Sequence, residues 1–268
     1  MPHPVARRSF LALLLAPAVP RPAAGQQGGS ASEGTPSAPG ASFPTQDPEI
    51  VRDMVGVSHG NVARVKELVG RHRTLAKAAY DWGFGDWESA LGAASHVGHR
   101  EIAEFLLANG ARPTIFSAAM LGQLEVVKAF VAGAPGVQKI KGPHGITLLR
   151  HAAAGGAQAK PVLDYLTQLG GADETIVQKP ITADERAKLA GNYAFSASAD
   201  DRIEITIQRE TLFIGRTGRT PRGLAHYGSY EFSPAGAENV RIRFAESGGT
   251  LTLTVHDPDV ILTARKTM

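Results

Sequence analysis

The sequence predicts an α+β chain of more than one domain: a solenoid of about four helix hairpins, then a small antiparallel β-barrel or sandwich. Three observations carry this. Segments of small residues closed by a glycine recur through the middle of the chain at a period of about 33 residues, the mark of stacked repeats. From about Leu189 onward the apolar residues alternate with period two. A stretch of Gly, Ser, Pro and Gln separates this body from an apolar N-terminal run.

That run comes first. Arg7-Arg8-Ser9-Phe10-Leu11 precedes the apolar residues Phe10 to Val19, with Ala23-Ala24-Gly25 behind them. The run is shorter than the roughly 20 residues needed to span a bilayer, so residues 1–25 read as a cleaved export signal. The paired arginines before Phe-Leu resemble a twin-arginine signal. The expected location is periplasmic or secreted, with no membrane-spanning segment. Residues 26–45 hold one acid, Glu33, and little apolar surface. They read as a disordered linker, since burial cannot offset the entropy of ordering them.

Composition narrows the function classes. The 268 residues are 43% hydrophobic and 20% charged, enough to bury a core. Arg7, Arg8 and Arg21 are the only charged side chains before residue 26; with them set aside, 25 cationic side chains face 25 acidic ones. A neutral body lacks the basic surplus of a nucleic-acid binder. The absence of cysteine excludes disulfides, thiolate zinc sites and cysteine nucleophiles.

Residues 46–178 carry the repeat. Ser89 to His99, Pro113 to Gln123 and Thr147 to Ala157 align, each with small residues ahead of a glycine. Ala93, Ala94, Ala118, Ala119, Ala152 and Ala153 make a thin first helix that lets neighbouring units approach. Gly98, Gly122 and Gly156 supply the turn, where positive φ costs glycine little. Ile102, Phe105, Leu106 and Val126, Ala129, Phe130 space as second helices. Gly60-Asn61-Val62, leading into Val65 and Leu68, is a degenerate unit upstream. The pattern Ser89-Ala-Leu-Gly-Ala-Ala with Gly98-His99, Ile102, Leu106-Leu107 and Gly110-Ala111 resembles the ankyrin repeat, and Gly171-Ala172-Asp173 matches its closing Gly-Ala-Asp. The resemblance covers about residues 48–175. It implies a helix stack whose fingers and first helices form a concave face for a protein partner. The family's Thr-Pro-Leu-His is replaced at 89–92, 113–116 and 147–150, so most of its hydrogen bonds between units are expected to be missing. The turn glycines lie 38, 24 and 34 residues apart, which enlarges the first finger, about residues 70–87, and nearly deletes the next.

Residues 183–268 alternate. Ile203, Ile205 and Ile207 share one face, as do Val240, Ile242 and Phe244, and Leu251, Leu253 and Val255, with Gly, Pro, Ser and Asp turns between the runs. Six to eight short strands are expected, closed to remove exposed edges. Leu189-Ala-Gly-Asn-Tyr193 and the strand Thr250 to Val255 are similar to lipocalin-like modules found behind serine-hydrolase domains of the penicillin-binding type. That resemblance implies an accessory part with no reaction of its own.

Reactive motifs are few. Gly56-Val-Ser-His-Gly60 is a literal G-x-S-x-G, but Ile50 to Val55 before it has helical spacing where a nucleophile elbow needs a strand. Zinc needs three or four converging ligands. His96 and His99 straddle a helix end and are expected to point apart, and with His59 and His151 they read as structural; His144, between Pro143 and Gly145, reads as a surface or binding residue. Arg209, Arg216, Arg219 and Arg222 surround one turn, either as a cradle for a carboxylate or phosphate or as a solvated hairpin balanced by Glu204, Glu210 and Glu231. Both tryptophans lie in the enlarged first finger with Tyr80 and Phe84, as core or as contact surface.

The expected function is therefore an exported, non-catalytic, monomeric protein-interaction module without cofactor or metal. Trp82, Phe84, Trp87, Lys141 and His144 are the expected partner contacts, with Trp82 and Phe84 the more exposed. The alternative places function in the barrel, as a hydrolase accessory or as a small apolar ligand held among Ile203, Ile205, Leu212, Ile214, Phe244 and Leu253.

Overall fold

Side-chain caps set where the helices begin. Asp47, Asn61, Ser89, Thr114, Thr147 and Thr182 each accept a backbone N–H from the turn that follows, satisfying a donor that a helix end leaves open. The computed structural model describes residues 42–175, 177–198, 201–258 and 260–267. The expected export signal and most of the expected linker lie outside these residues.

In chain order the helical half runs α1 (Pro48–Val57) and α2 (Val62–Arg71), then the hairpin β1 (Ala79–Asp81) and β2 (Trp87–Ser89). It continues with α3 (Ala90–His96), α4 (Arg100–Ala108), α5 (Ile115–Met120), α6 (Leu124–Gly133), α7 (Leu148–Ala154) and α8 (Lys160–Leu169). Helix α1 packs on α3, α3 on α5 and α5 on α7, while α2 lies against α4 and α6 against α8. The alanines permit this closeness: Ala93, Ala94, Ala119 and Ala152 are fully buried between helices, whereas Ala153 faces solvent. Gly98 and Gly122 have φ of 75° and 76°. A Cβ at either would overlap the backbone carbonyl of Ala154 or of Gln158, so both the turn and the packing demand glycine. Thr147 Oγ1 donates to Asp173 Oδ1 at 2.8 Å, one tie of the stack to its closing Gly-Ala-Asp.

Helix α9 (Ala183–Leu189) leads into eight strands: β3 (Gly191–Ala194), β4 (Arg202–Gln208), β5 (Thr211–Gly215), β6 (Arg222–Gly228), β7 (Glu231–Pro234), β8 (Arg241–Ser247), β9 (Thr250–Asp257) and β10 (Val260–Lys266). Each pairs antiparallel with the next, and β10 closes on β3 through Lys266 opposite Tyr193 and Arg265 opposite Ala194. The chain is therefore α+β with a closed eight-stranded barrel rather than a sandwich. Alternation sends Ile203, Ile205, Ile242, Phe244, Leu253 and Val255 into a core that also holds Tyr193 and Phe232. Ile207, which alternation places with Ile203, is 45% exposed; there β4 still pairs with β5 but no longer with β3. Among the described residues no helix is long and apolar enough to cross a membrane. The described residues from Ser42 onward form one compact unit.

Candidate ligand site at the barrel mouth

The enlarged finger is the hairpin of residues 79–89, and the turn between its strands, residues 82–86, sends side chains to two cores. Trp82 packs against the helical core and Phe84 against the barrel core. Gly83, Phe84 and Gly85 all have positive φ, 112°, 59° and 75°. For Phe84 this is a strained backbone, held by Asp81 Oδ1 accepting the Gly83 N–H at 2.8 Å and by the ring's seat in the barrel.

Asp86 clamps the finger to the barrel. It is 3% exposed and ion-paired with Arg222 of β6, which also donates to the carbonyl of Ala235. His144 donates to the same carboxylate from its backbone N–H at 2.9 Å and from Nδ1 at 2.8 Å. Burial alone would raise the Asp86 carboxyl; the His144 hydrogen bonds and the adjacent guanidinium bring it below its ordinary range. Gly236 is required here, since a Cβ would lie 2.6 Å from Asp86 Cγ. Lys141, paired with Glu238 of the β7–β8 connection, is a second tie.

Between finger and barrel lies a cavity of about 460 Å³, within the roughly 300–1,000 Å³ of small-molecule sites. Ile203, Ile214 and Val255 form its floor, and Phe195, Leu262, Trp82 and Phe84 its walls. The rim is cationic: Arg52, Arg216 and Arg219 line it, with Asp81 and Asp257 the acids. Arg219 Nη1 donates to Tyr80 Oη at 3.3 Å, and Arg216 approaches Asp201 at 3.9 Å. The arrangement can hold an apolar body with one anionic end.

The finger's last turn faces another cluster. Glu88, fully buried, receives Trp82 Nε1–H at 2.7 Å on Oε2. Its Oε1 lies 2.9 Å from His96 Nε2, 3.3 Å from His144 Nε2 and 3.6 Å from His59 Nε2. Burial would push this carboxyl up, but hydrogen bonds from His144 and His96 hold it at about 2. Burial would lower His144, and its bonds to Asp86 and Glu88 push it up to about 9 instead. His151, also fully buried, is depressed to about 4 by burial, with only the Thr147 carbonyl as partner, at 2.9 Å.

Four of the five residues expected to meet a partner thus make contacts within the chain. Trp82 and Phe84 are half-buried, Lys141 holds Glu238, and His144 holds Asp86 and Glu88. Trp87, rather than Trp82 or Phe84, is the exposed aromatic, at 64%. It borders a groove with Phe116, Lys141 and Pro143. Of the arginines around the turn, Arg222 is buried in the clamp while Arg216 and Arg219 stay at the rim. Ser58 of the G-x-S-x-G is fully buried and donates to the Met54 carbonyl at 2.7 Å, closing a helix end. His96, expected to be structural, turns toward His59, His144 and Glu88, a group to which His99 does not belong. Sequence reasoning passed over Asp86 and Glu88 altogether. Their signal was two acids flanking the exposed Trp87, Asp86 just before β2 and Glu88 within it, both on the side opposite the exposed tryptophan and both buried. No family model matches the sequence, and a search of curated proteins finds no match.

Proposed function

We propose that this chain is an exported binding protein that takes an elongated apolar molecule with a carboxylate end into the barrel mouth, under the finger. The observation that carries the reading is the cavity of about 460 Å³, apolar in its depth and ringed by Arg52, Arg216 and Arg219 at its opening. The helical half is then an ankyrin-type stack that positions the roof, with Trp82 and Phe84 joining the two cores. An eight-stranded barrel is just wide enough to admit one small ligand at an unfilled end.

The test is fluorescence titration with a dansyl-labelled C11 carboxylate. Saturable binding is expected, weakened about 10- to 100-fold by Arg219→Glu, the worth of a hydrogen bond to a charged group. Leu262→Trp, at a half-exposed wall position, is expected to block it by filling the space. Failure to saturate, or indifference to both substitutions, refutes the reading.

A second reading, docking of a protein partner on the helical face, is favoured by the groove at Trp87, Phe116, Lys141 and Pro143. Chemical crosslinking of the full chain to a protein of the cell envelope, lost in Trp87→Ser, is its expected outcome.

A further inference from the structure

We propose that His59, Glu88, His96 and His144 form a site for one divalent transition-metal ion, bound through three imidazole Nε2 atoms and one carboxylate oxygen. The inference is independent of the barrel mouth.

The four residues come from different parts of the stack. His59 lies just beyond α1, Glu88 on β2, His96 ends α3, and His144 sits in the loop before α7. Their ligand atoms nevertheless all lie within 4.8 Å of one another. Zinc–nitrogen and zinc–oxygen bonds of 2.0–2.2 Å place tetrahedral ligands about 3.3 Å apart. The observed separations bracket that edge: His96 Nε2 is 3.0 Å from His59 Nε2 and 2.9 Å from Glu88 Oε1, which lies 3.3 Å from His144 Nε2 and 3.6 Å from His59 Nε2. Such spacing leaves no room for a residue between the ligands and suits an ion at their centre.

The outer partners fix the lone pairs. His59 Nδ1–H donates to the Gly56 carbonyl at 2.9 Å. His144 Nδ1–H donates at 2.8 Å to Asp86, which, ionised beside Arg222, can only accept. With each Nδ1 protonated, the Nε2 atoms of His59 and His144 face inward, and an ion binding there would displace the proton that His144 Nε2 otherwise shares with Glu88. Glu88 Oε2 is occupied by Trp82 Nε1–H, which leaves Oε1 as a single donor. Metal-bound histidines are typically oriented by such carbonyl and carboxylate partners. His144 moreover holds φ of 61°, a backbone rarely adopted by a residue with a side chain; its hydrogen bonds to Asp86 fix the ring in place.

Donor chemistry selects the ion. Three imidazoles and one carboxylate suit zinc, copper or nickel, and not magnesium or calcium, which take oxygen. Four protein ligands make a closed site of the structural kind. The ion ties the first two helix hairpins to the finger and to the loop before α7, and His59, a third exposed, marks its way in.

The experiment is competition for zinc between the full chain, free of any affinity tag, and a chromophoric chelator, followed by cobalt loading read by visible absorption. One zinc per chain is expected, with no competition from magnesium or calcium. Affinity is expected to fall at least about 100-fold in His96→Ala and in His59→Asn, beyond the 10- to 100-fold that loss of an outer partner costs. It is expected to be unchanged in His99→Ala, whose side chain lies outside the cluster. Intense cobalt bands of a tetrahedral site are expected in the parent and not in His59→Asn, whose partial exposure makes it the variant least able to disturb folding. Lack of stoichiometric uptake, cobalt bands that survive in a folded His59→Asn, or equal loss in His99→Ala overturns the assignment.

Discussion

Replacing Arg222 by leucine tests whether the finger is held by a buried charge pair. Arg222 is 8% exposed and Asp86 3%, so the variant strands a carboxylate away from water. Breaking a buried pair from one side typically costs 3–5 kcal/mol. Asp86 retains two hydrogen bonds from His144, at 2.9 and 2.8 Å, which places the loss at the lower end, about 3 kcal/mol. For a domain of this size that lowers Tm by about 6–12 °C. Urea unfolding in the presence of a chelator measures it, with tryptophan fluorescence reporting on the finger through Trp82 and circular dichroism on the whole. If the penalty is the stranded charge, Asp86→Asn in the same background restores most of the loss, although Asp86→Asn alone destabilises. A loss below about 1 kcal/mol in Arg222→Leu, or no recovery in the double variant, refutes the reasoning.

Three further outcomes are expected. Gly155 has helical φ of −70°, yet a Cβ there would overlap the Met120 carbonyl; Gly155→Ala is expected to cost about 3 kcal/mol, while Gly133→Ala, in open space on α6, gains about 0.5 kcal/mol, both by chemical denaturation. His151, at about 4 in the fold against about 6.5 unfolded, accepts its proton more readily in the unfolded chain between those values. Stability is therefore expected to rise by about 3 kcal/mol from pH 4 to pH 7 on its account. Comparing the metal-free parent with His151→Leu across that range isolates this from Glu88, whose contribution is lost as pH falls from 4.5 through about 2, and from His144, whose contribution is lost as pH rises from 6.5 through about 9. Tyr193, fully buried, donates to the Leu189 carbonyl at 2.7 Å; Tyr193→Phe is expected to cost about 1–2 kcal/mol by thermal unfolding.

Much of the fold was legible because its signals are local. The Ile203–Ile205 and Ile242–Phe244 alternation reads directly as half-buried strands of a barrel or sandwich, which the β10–β3 pairing then closes, and Ser89, Thr114 and Thr147 mark the starts of three thin helices. The clamp was not legible, because Asp86 and Arg222 are 136 residues apart and neither sits in a motif. The histidine cluster hid for a related reason. The visible spacing, His96 and His99, joins residues that separate at a helix end, whereas the interval that counts is the 37 residues from His59 to His96. That interval nearly equals the 38 residues from Gly60 to Gly98 that the sequence offers as one repeat spacing, a spacing read on glycines and alanines and not on histidines. The sequence leaves Trp82 and Phe84 open between core and contact surface; the helical core takes up Trp82 and the barrel core, far off in sequence, takes up Phe84.

The pairing of Tyr193 with Lys266 also dictates an order of events during synthesis. Helices that touch their neighbours in sequence can assemble as they leave the ribosome, but the ring of strands stays open until residues 260–266 are free to join it. Through that interval the finger has emerged without its anchor, and Phe84 has no barrel to enter. The ring of strands can therefore shut, and the finger find its anchor, only after the whole helical half has been made.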